Sequence, residues 1–541
     1  MPYITSRLVK GIRYYYIYEN YRENGKVKHR LIKYLGNIDK ILDMANNDLV
    51  NIKKISCISV KNYGDILLFF NIIKEINLID IINSCVRKNP DIKPSVGDLA
   101  SIMIINRLSV PCSKLGIQEW YKRSILPDLL NIQEDQVYAQ SLCRALDYLD
   151  DNAINNIQNK LINKLKETYN IDLNALFYDI TSTYFEGTKC PIAYFGYSRD
   201  HRPDRKQIVI GLVISKETKF PLKHWVFPGN TMDWSTIELV VNELKNNKEI
   251  ENFTIITDRG MFQKNLRIKM AENNLIFITG VKSSEKIAKD LIFNIKIEDM
   301  RPIKLKSGEQ LLYYSKKIED QGFNFNAILI LSPKMRKIQE DNFNESITKI
   351  QEKLAMLKEG LKVRNKNKEK LKKSIDNIIK SYKKLFKIDI KESNSGNNTF
   401  TFELDQKEIE KINNKFGKYV IISNVPFLKS KEIIQTYIDK WKVESAFKYI
   451  KSQIKLRPIF HFSENRVKAH VFICILTYLI RSIIEYKLRN LRFRISYSEL
   501  HSELSKIKQV EIKTNNNVEK IITKYGQKIK NIFEKFNIDF I

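Results

Sequence analysis

The chain has 541 residues and a formal net charge of +30, and 43% of its residues are hydrophobic. This apolar content excludes wholesale disorder, and at about 150 residues per domain the length suggests three or four structural units. The surplus of Lys and Arg indicates a polyanionic partner, with nucleic acid as the first candidate and a membrane surface as the second.

Targeting signals and membrane spans are not evident. The first twenty residues contain no apolar core of a secretory signal. The longest apolar runs, such as 471–480, fall short of the ~20 residues that cross a bilayer. The six cysteines lie far apart without a Cys-x-x-Cys pair, which argues against a zinc knuckle or a disulfide framework. We therefore expect a cytoplasmic protein that has no membrane partner.

The amino-terminal third divides into a β segment and a helical segment. Residues 12–35 predict a β-hairpin that turns at Asn24-Gly25, a pair typical of type I′ turns. The hairpin mixes basic and aromatic side chains, which suits a phosphate backbone and equally an ordinary solvated surface. We assign residues 1–55 to this basic hairpin module. Residues 56–168, with helices predicted over 65–76 and 95–107, are interpreted as a helical DNA-end-binding domain.

The next segment, 169–285, has the pattern of an α/β unit. Strands are predicted over 173–181, 207–215, 221–227, 253–258 and 275–280, and helices over 233–246 and 263–272. The sequence Asp233-Trp-Ser-Thr resembles a capped helix start. In such units the chemistry usually lies at strand ends.

The segment 286–425 is predicted to interrupt this unit as an insertion domain. Strands over 310–314, 327–331, 399–403 and 418–423 flank a charged region, 334–390, that predicts one or two long basic helices. A solvated face is the default interpretation, with DNA contact or protomer pairing as alternatives. Helices over 430–455 and 464–487 then form a second core part, 426–490, and a basic, partly helical tail covers 491–541.

Three acids stand out by their context. Asp179 lies within an apolar strand, and Asp258 ends another strand just before a turn at Arg259. Glu444 lies on a predicted helix, where Lys440 and Glu444 fall on one side at ~100° per residue. Lys451, Tyr437 and Trp441 are placed close to the same arc. Taken singly, an Asp at a strand end usually forms a turn and a helical Glu usually lies on the surface.

Carboxylates that converge on one site repel each other unless a cation compensates them. Ligands that are all oxygen suit Mg²⁺, with Mn²⁺ as a substitute, in preference to zinc. Two such ions ~4 Å apart can activate a water or a 3′ hydroxyl and stabilise the leaving oxygen of a phosphodiester. The acids therefore indicate metal-dependent chemistry on a nucleic-acid backbone.

The order of these acids resembles the ribonuclease-H-like core of DDE transposases. The long second interval is similar to the group that inserts a partly β domain before the catalytic Glu. The helix resembles the Tyr-Arg-Glu-Lys signature of that group, here Tyr437, Lys440, Glu444 and Lys451, with Lys440 in place of Arg. Further stretches are similar to the insertion-sequence-four superfamily and its sixteen-thirty-four family: 196–204, 229–233, 457–461 and 466–470.

This resemblance implies a fold, an activity and a set of partners. The fold would be α/β, a ribonuclease-H-like catalytic core interrupted by a mixed β/helical insertion and preceded by a β-hairpin and a helical DNA-binding region. The activity would be cleavage at the ends of an insertion sequence and strand transfer into target DNA. The partners would be double-stranded DNA, as terminal inverted repeats and target, and a second copy in a synaptic homodimer. The protein would act in the prokaryotic cytoplasm, at the nucleoid.

The resemblance also assigns residues. Asp179, Asp258 and Glu444 would be catalytic and would bind two Mg²⁺ ions. DNA phosphates would be contacted by four residues: Arg259, Tyr437, Lys440 and Lys451.

Several alternatives stay open. We expect Trp441 in the core, with stacking on an unpaired base as the alternative. His461 and His470 are expected to be structural. The alternative functions are a catalytically inactive or domesticated transposase-derived DNA-binding protein, and a ribonuclease-H-like DNA nuclease without strand transfer. A coiled-coil scaffold would explain 334–390 only.

Overall fold

The structure, a computed structural model, describes most of the chain. The described residues are 2–23, 26–47, 56–87, 94–187, 189–247, 250, 252–363, 367–392, 398–514 and 517–539. The chain divides into two compact units, one comprising Met1–Tyr148 with Ile483–Ile541, and the other comprising Leu149–Ser482. The predicted tail thus belongs to the same unit as the amino-terminal segments. The six segment boundaries predicted from the sequence otherwise stay predictions.

The first unit begins with a three-stranded antiparallel sheet of β1 (Pro2–Val9), β2 (Ile12–Glu23) and β3 (Lys26–Gly36). Strands β2 and β3 confirm the predicted hairpin, whose turn residues Asn24 and Gly25 lie outside the described residues. Strand β1 was not predicted. It joins β2 through Lys10 and Gly11, which both have positive φ, as a tight turn between twisted strands requires. Helix α1 (Ile38–Asn47) follows.

The helical prediction for the following segment is confirmed within the described residues. One strand and six helices succeed one another: β4 (Ser56–Asn62), α2 (Gly64–Glu75), α3 (Leu78–Asn83), α4 (Val96–Ser109), α5 (Lys114–Lys122), α6 (Leu126–Leu130) and α7 (Ala139–Asp147). Helix α4 is almost wholly buried, and a capping box starts it: Ser95 Oγ accepts from the Asp98 N–H, and Asp98 accepts from the Ser95 N–H.

The second unit begins with helix α8 (Asp151–Tyr169), which the sequence had assigned to the helical region before it. Its strands and helices then alternate: β5 (Ala175–Tyr184), β6 (Gln207–Ser215), β7 (Pro221–Pro228), α9 (Asp233–Lys245), β8 (Thr254–Thr257), α10 (Lys264–Glu272), β9 (Ile276–Val281), α11 (Lys286–Asn294), β10 (Arg301–Lys304), β11 (Gln310–Asp320) and β12 (Phe323–Leu331).

The remaining elements of this unit include two long helices and a second hairpin. They are α12 (Pro333–Val363), α13 (Lys368–Ile379), β13 (Phe386–Glu392), β14 (Asn398–Leu404), α14 (Gln406–Asn413), β15 (Lys418–Ser423), α15 (Ser430–Ile438), α16 (Trp441–Ser452) and α17 (Glu464–Asn490), whose residues from Ile483 onward belong to the first unit. The helix predicted over 430–455 is therefore two helices, which meet at Asp439 and Lys440.

One nine-stranded sheet organises the second unit, in the order β10-β11-β12-β15-β9-β8-β5-β6-β7. Strand β5 pairs parallel with β8, and β8 pairs parallel with β9, whereas the other pairs are antiparallel. Strand β6 is buried along its whole length, because helices and loops cover both faces of the sheet.

The structure differs from the predicted insertion, 286–425. Strands β10, β11, β12 and β15 extend the same sheet as β5 to β9, so they are not a separate domain. Within the described residues of this segment, a separate hydrophobic core forms among α12, α13, β13 and β14, around side chains such as Leu354, Leu371 and Phe400. Local periodicity identified these strands, but their pairing partners lie far away in the sequence.

Helix α17 is the one helix in the described residues that is long and apolar enough to cross a membrane. However, 89% of its most apolar window is buried inside the structure, as in the core helix of a globular protein.

The first unit is completed by the carboxy-terminal elements α18 (Tyr497–Leu504), β16 (Lys508–Thr514), β17 (Asn517–Ile522) and α19 (Gln527–Lys535). Strand β16 pairs with β4, which lies more than four hundred residues earlier in the chain. The two strands were not predicted in the tail, since a pairing of this range leaves no local signal.

Candidate active site

The first two acids are aligned by the parallel pairing of β5 and β8. Phe177 lies opposite Ile256, so Asp179 and Asp258, each two residues further on, continue the same register. Side chains two residues apart share a face of a strand. Phe177 and Ile256 belong to the core cluster that packs against α15 and α16, and both acids therefore point to that side.

The third acid, Glu444, is carried by α16, and Lys440 lies between it and Asp258. Glu444 lies in the first turn of α16, and the Lys440 ammonium lies 2.7 Å from Glu444 Oε1 and 3.5 Å from Asp258 Oδ2. Lys440 is buried, and burial alone would lower its pKa. Asp258, Asp179 and Glu444 outweigh burial and raise the pKa, so the lysine stays charged.

Asp179 is the most perturbed of the three acids. Its pKa is raised to about 7, chiefly by burial and in addition by the charges of Asp258 and Glu444. Lys440 and the N–H of Ile180, which donates to Asp179 Oδ1 at 2.8 Å, lower it. A carboxyl group in this state needs a positive neighbour to ionise fully at neutral pH.

A cavity of about 320 Å³ opens beside these acids. Its lining comprises Asp258, Arg259, Glu309, Leu311, Ser332, Met335, Tyr419, Tyr437, Ile438, Lys440, Trp441 and Glu444. Three of the four residues predicted to contact DNA are therefore among its walls. The sequence missed Glu309 and Tyr419, because they lie on the strands or loops that had been assigned to a separate insertion.

Trp441 is not in the core, and the expectation was wrong. Its side chain is 49% exposed at the wall of the cavity, and the Lys219 ammonium lies 5.2 Å from the ring centroid. The expectation failed because it assumed one continuous helix, whereas Trp441 is the first residue of α16.

Gly280 on β9 leaves the space that two cavity residues occupy. A Cβ atom at this position would collide with Arg259 Cγ and lie 2.5 Å from the Tyr437 hydroxyl oxygen. Tyr437 is buried, and burial together with Asp258 raises its pKa, so the phenol stays protonated. No local pattern points to Gly280, since a close approach between distant segments is a property of the tertiary structure.

Lys451 is held by a different set of groups. Its ammonium donates to the Ser182 carbonyl at 2.6 Å and to Asp200 at 2.9 Å, and Asp200 also pairs with Arg457 at 2.5 Å. The Arg457 guanidinium lies 4.8 Å from the ring centroid of Tyr184. Asp200 and Arg457 lie in two of the stretches that resemble the family, 196–204 and 457–461, but no role was predicted for either residue.

An ion pair joins two of the stretches that resemble the family, 196–204 and 229–233. Asp233 accepts two hydrogen bonds from the Arg199 guanidinium, at 2.7 and 2.8 Å, and does not cap α9, whose first turn has no side-chain cap. The predicted capped start is therefore wrong, and the Asp233 carboxylate instead joins the loop 196–204 to this helix.

The histidines are placed as expected. His470 is buried, and its Nε2 lies 2.9 Å from the Leu456 carbonyl oxygen, which is a structural contact. The ring of His461 packs edge-on against His470, with centroids 5.5 Å apart.

The donor chemistry of the three acids fits a hard divalent cation, although their arrangement is not a finished cage. Within the described ranges, no group of three His, Cys, Asp or Glu side chains is close enough to hold a metal ion as it stands. Lys440 supplies the positive charge among the acids in this structure. Oxygen donors and a raised carboxyl pKa beside a cavity together suit a hard divalent cation.

Family models match two segments of this chain. The family model described as transposase DDE domain matches residues 172–480, and the model described as IS1634 family transposase, N-terminal domain, matches residues 4–54. A solved structure of the piggyBac transposase synaptic complex with hairpin DNA is similar over 82% of this chain and 79% of that chain. The sequence identity is 11% and the TM-score 0.39. No curated protein matches the chain.

Proposed function

The chain belongs to the IS1634 family of DDE transposases, and from this premise we propose that Asp179, Asp258 and Glu444 are its catalytic metal ligands. The observation that carries the proposal is the position of Lys440, whose buried ammonium contacts Glu444 and Asp258 and is stabilised by the charge of Asp179. Asp258 and Glu444 contact this cation and Asp179 interacts with its charge, so a metal ion that replaced the ammonium would have all three carboxylates as neighbours.

The strand order supports a ribonuclease-H-like core. Strands β5, β6 and β7 are consecutive and antiparallel, and β8 and β9 follow in parallel on the other side of β5. This order places the first acid on the central strand and the second acid after its parallel neighbour. The inserted helices and hairpin, 333–404, leave this order unchanged.

Divalent metal ions, two Mg²⁺ in this proposal, would activate the attacking oxygen and stabilise the leaving oxygen of the phosphodiester. The chain itself supplies the positioning. The burial of Asp179 and the packing of α16 on the sheet fix the carboxylates, and Lys440 neutralises them and holds a phosphate nearby. Arg259, exposed at the cavity wall, extends the positive charge.

Contacts to the end of the element are proposed for Arg259, Tyr437, Lys440 and Lys451. Arg259 and Lys440 offer charge and Tyr437 offers a protonated hydroxyl in the same cavity. Lys451 is paired with Asp200, so a phosphate would have to compete with that carboxylate. Double-stranded DNA, both the terminal repeats and the target, and a synaptic homodimer complete the proposal, with action at the prokaryotic nucleoid in the cytoplasm.

A supercoiled plasmid that carries the DNA flanking the gene tests the proposal. We expect wild-type protein with Mg²⁺ to nick this plasmid, and Asp179→Asn, Asp258→Asn or Glu444→Gln to abolish nicking while DNA binding persists. Glu309→Gln is the matched control, because Glu309 lines the same cavity but is not a proposed ligand. Nicking by all three acid variants at the wild-type rate would refute the assignment.

Strand transfer is tested separately with a pre-cleaved end. A transposase joins this end to a second DNA molecule, whereas a nuclease without strand transfer leaves the two molecules apart. Joined products that depend on the same three acids would support the complete reaction.

A further inference from the structure

The amino-terminal sheet carries a continuous aromatic surface that the catalytic proposal does not use. Tyr3 lies opposite Tyr18 on the neighbouring strand, and Tyr16 lies opposite Tyr34. The ring centroids of Tyr3 and Tyr18, Tyr16 and Tyr18, Tyr16 and Tyr34, and Tyr14 and Tyr34 lie 6.2, 6.3, 5.1 and 6.2 Å apart. We call these five residues the tyrosine face: Tyr3, Tyr14, Tyr16, Tyr18 and Tyr34.

Polar groups border this face and remain accessible. The Tyr3 hydroxyl lies 2.9 Å from His29 Nδ1, which is also 2.6 Å from Asn20 Oδ1. Tyr3 and Tyr34 are 38% and 44% exposed, and the rings between them are half-buried against one another. The face therefore offers hydroxyl and imidazole groups on a flat, preformed aromatic base.

The amino-terminal sheet has a strong excess of positive charge. Residues 2–36 carry eight Lys and Arg residues and two acidic residues. Both acids are paired within the sheet, Glu19 with Arg30 at 2.9 Å and Glu23 with Lys28 at 2.6 Å. From α1, the Lys40 ammonium adds a further cation 5.9 Å from the ring centroid of Tyr34. The excess positive charge favours a polyanion over a second copy of this basic sheet.

The dimensions of the sheet fit a DNA groove. Adjacent strands lie about 4.8 Å apart, so the axes of the two outer strands are about 10 Å apart, which is comparable to the ~12 Å width of the major groove of B-DNA. Tyrosine hydroxyls can donate to and accept from base edges, and their rings contact thymine methyl groups at a small entropic cost.

We propose that the tyrosine face enters the major groove of the transposon end and discriminates its sequence, while the surrounding cations contact the phosphates. This inference rests on the proposed function, because it assumes that the chain acts on the ends of its element. In this proposal two kinds of side chain on one sheet have different roles. The tyrosine hydroxyls contact the bases, and Lys or Arg side chains contact the DNA backbone.

Binding of the full-length chain to labelled duplexes tests the inference. The probes are ~30-base-pair duplexes, about three helical turns, copied from the DNA on each side of the gene, and a scrambled duplex of the same composition. We expect Tyr16→Ala and Tyr34→Ala to weaken end binding about 10-fold or more, to change scrambled binding little, and to keep the salt dependence.

Two variants on the same sheet provide matched controls. Tyr21→Ala removes a tyrosine from the opposite face of β2, since Tyr21 and Tyr16 differ by an odd number of positions, and we expect end binding to change less than about 2-fold. Arg7→Ala removes an exposed cation beside the face, opposite Tyr14 on the neighbouring strand. We expect it to weaken both duplexes equally and to reduce the salt slope by about 1.

Equal end binding by wild type and both tyrosine variants would overturn the inference. So would a loss of dimer in light scattering with unchanged binding per protomer, since the face would then be a protein interface. If an alanine variant fails to fold, Tyr16→Phe and Tyr34→Phe keep the rings, and wild-type end discrimination by both would also overturn it.

Nicking of the flanking-DNA plasmid separates this failure from failure of the proposed function. If wild type nicks the plasmid and the tyrosine variants bind its ends normally, only the inference fails. If wild type neither binds nor nicks it, both fail.

Discussion

The nine-stranded sheet and the amino-terminal sheet use the same backbone geometry under opposite conditions. In the large sheet, β6 is buried from Gln207 to Ser215, whereas β1 exposes Ile4 and Leu8 by 66% and 67%. A polar side chain on a buried strand costs free energy unless it has hydrogen-bonding or ionic partners. Asp179 in β5 is therefore a candidate functional residue on its own. On the exposed sheet a single polar or aromatic residue is common, and only the joint arrangement of several such residues indicates a function.

The largest expected effect concerns the cation among the acids. Lys440→Met removes the charge that Glu444 and Asp258 share, and we expect plasmid nicking to fall on the order of 10²-fold. Lys440→Arg, which restores the residue of the resembled signature, should retain activity. Lys448→Met, exposed on the same helix, is the control and should nick normally. Normal nicking by Lys440→Met would contradict the role of this lysine.

The contrast between the two sheets is tested directly by truncating one apolar residue in each. Ile210→Ala in β6 creates a cavity beneath the acid site, and we expect a loss of about 2–5 kcal/mol in the free energy of unfolding. Leu8→Ala in β1 should change stability by less than about 0.5 kcal/mol, because Leu8 is largely exposed. Urea denaturation of both variants measures the difference, and similar losses would refute the contrast.

The same contrast between buried and exposed positions should make two glycines of the second unit respond in opposite directions. Gly280→Ala forces a methyl group against Arg259 and Tyr437, and we expect a destabilisation of about 1–3 kcal/mol together with slower nicking. Gly360 on α12 has no atom of the described residues within 4 Å of its Cβ position, and Gly360→Ala should stabilise the helix by about 0.5–1 kcal/mol. Thermal denaturation measures both effects, and an unchanged melting temperature for Gly280→Ala would contradict the prediction.

Buried polar groups of the large sheet should make its unit sensitive to acid. Burial lowers the pKa of His224 to about 3, and its ring stacks on Phe472 and contacts Gln158. Near pH 6.5 the imidazole of His224 binds a proton in the unfolded chain but not in the folded chain. The free energy of unfolding therefore has its full value above about pH 6.5 and falls as the pH drops towards 3. We expect the loss at pH 5 to be about 1–2 kcal/mol.

Replacing this histidine removes the proton uptake. We expect His224→Phe, which cannot titrate, to be less stable than wild type at pH 7, and the gap between the two melting temperatures to narrow at pH 5. A gap that stays constant would show that His224 does not contribute to acid sensitivity.

Much of the second unit was predictable because its strands are continuous apolar runs. Residues 207–215 were predicted with the bounds that β6 has, and β8 with Asp258 at its end followed from the same kind of pattern. The side on which Asp179 and Asp258 lie follows from the parallel register. The sequence could therefore indicate which acids belong together, although their role as metal ligands stays a prediction.

Other features depend on contacts that local pattern cannot supply. The break between α15 and α16 occurs at Asp439 and Lys440, both in right-handed helical conformation, without the Gly or Pro that usually marks an end. Trp441 was misplaced for this reason. The pairing of β16 with β4 and the extension of the large sheet by β10, β11, β12 and β15 depend equally on partners distant in sequence.

The way in which the helical insertion is attached has a consequence for how such chains can change. Strands β12 and β15 are antiparallel neighbours, with Leu331 opposite Lys418, and the N–H of Ser332 donates to the Gly417 carbonyl at 2.9 Å. The segment between them, which includes the two long helices, enters and leaves the sheet at a single point. In topological terms it is an enlarged hairpin loop, and lengthening, shortening or exchange of this segment would leave every strand of the sheet in register.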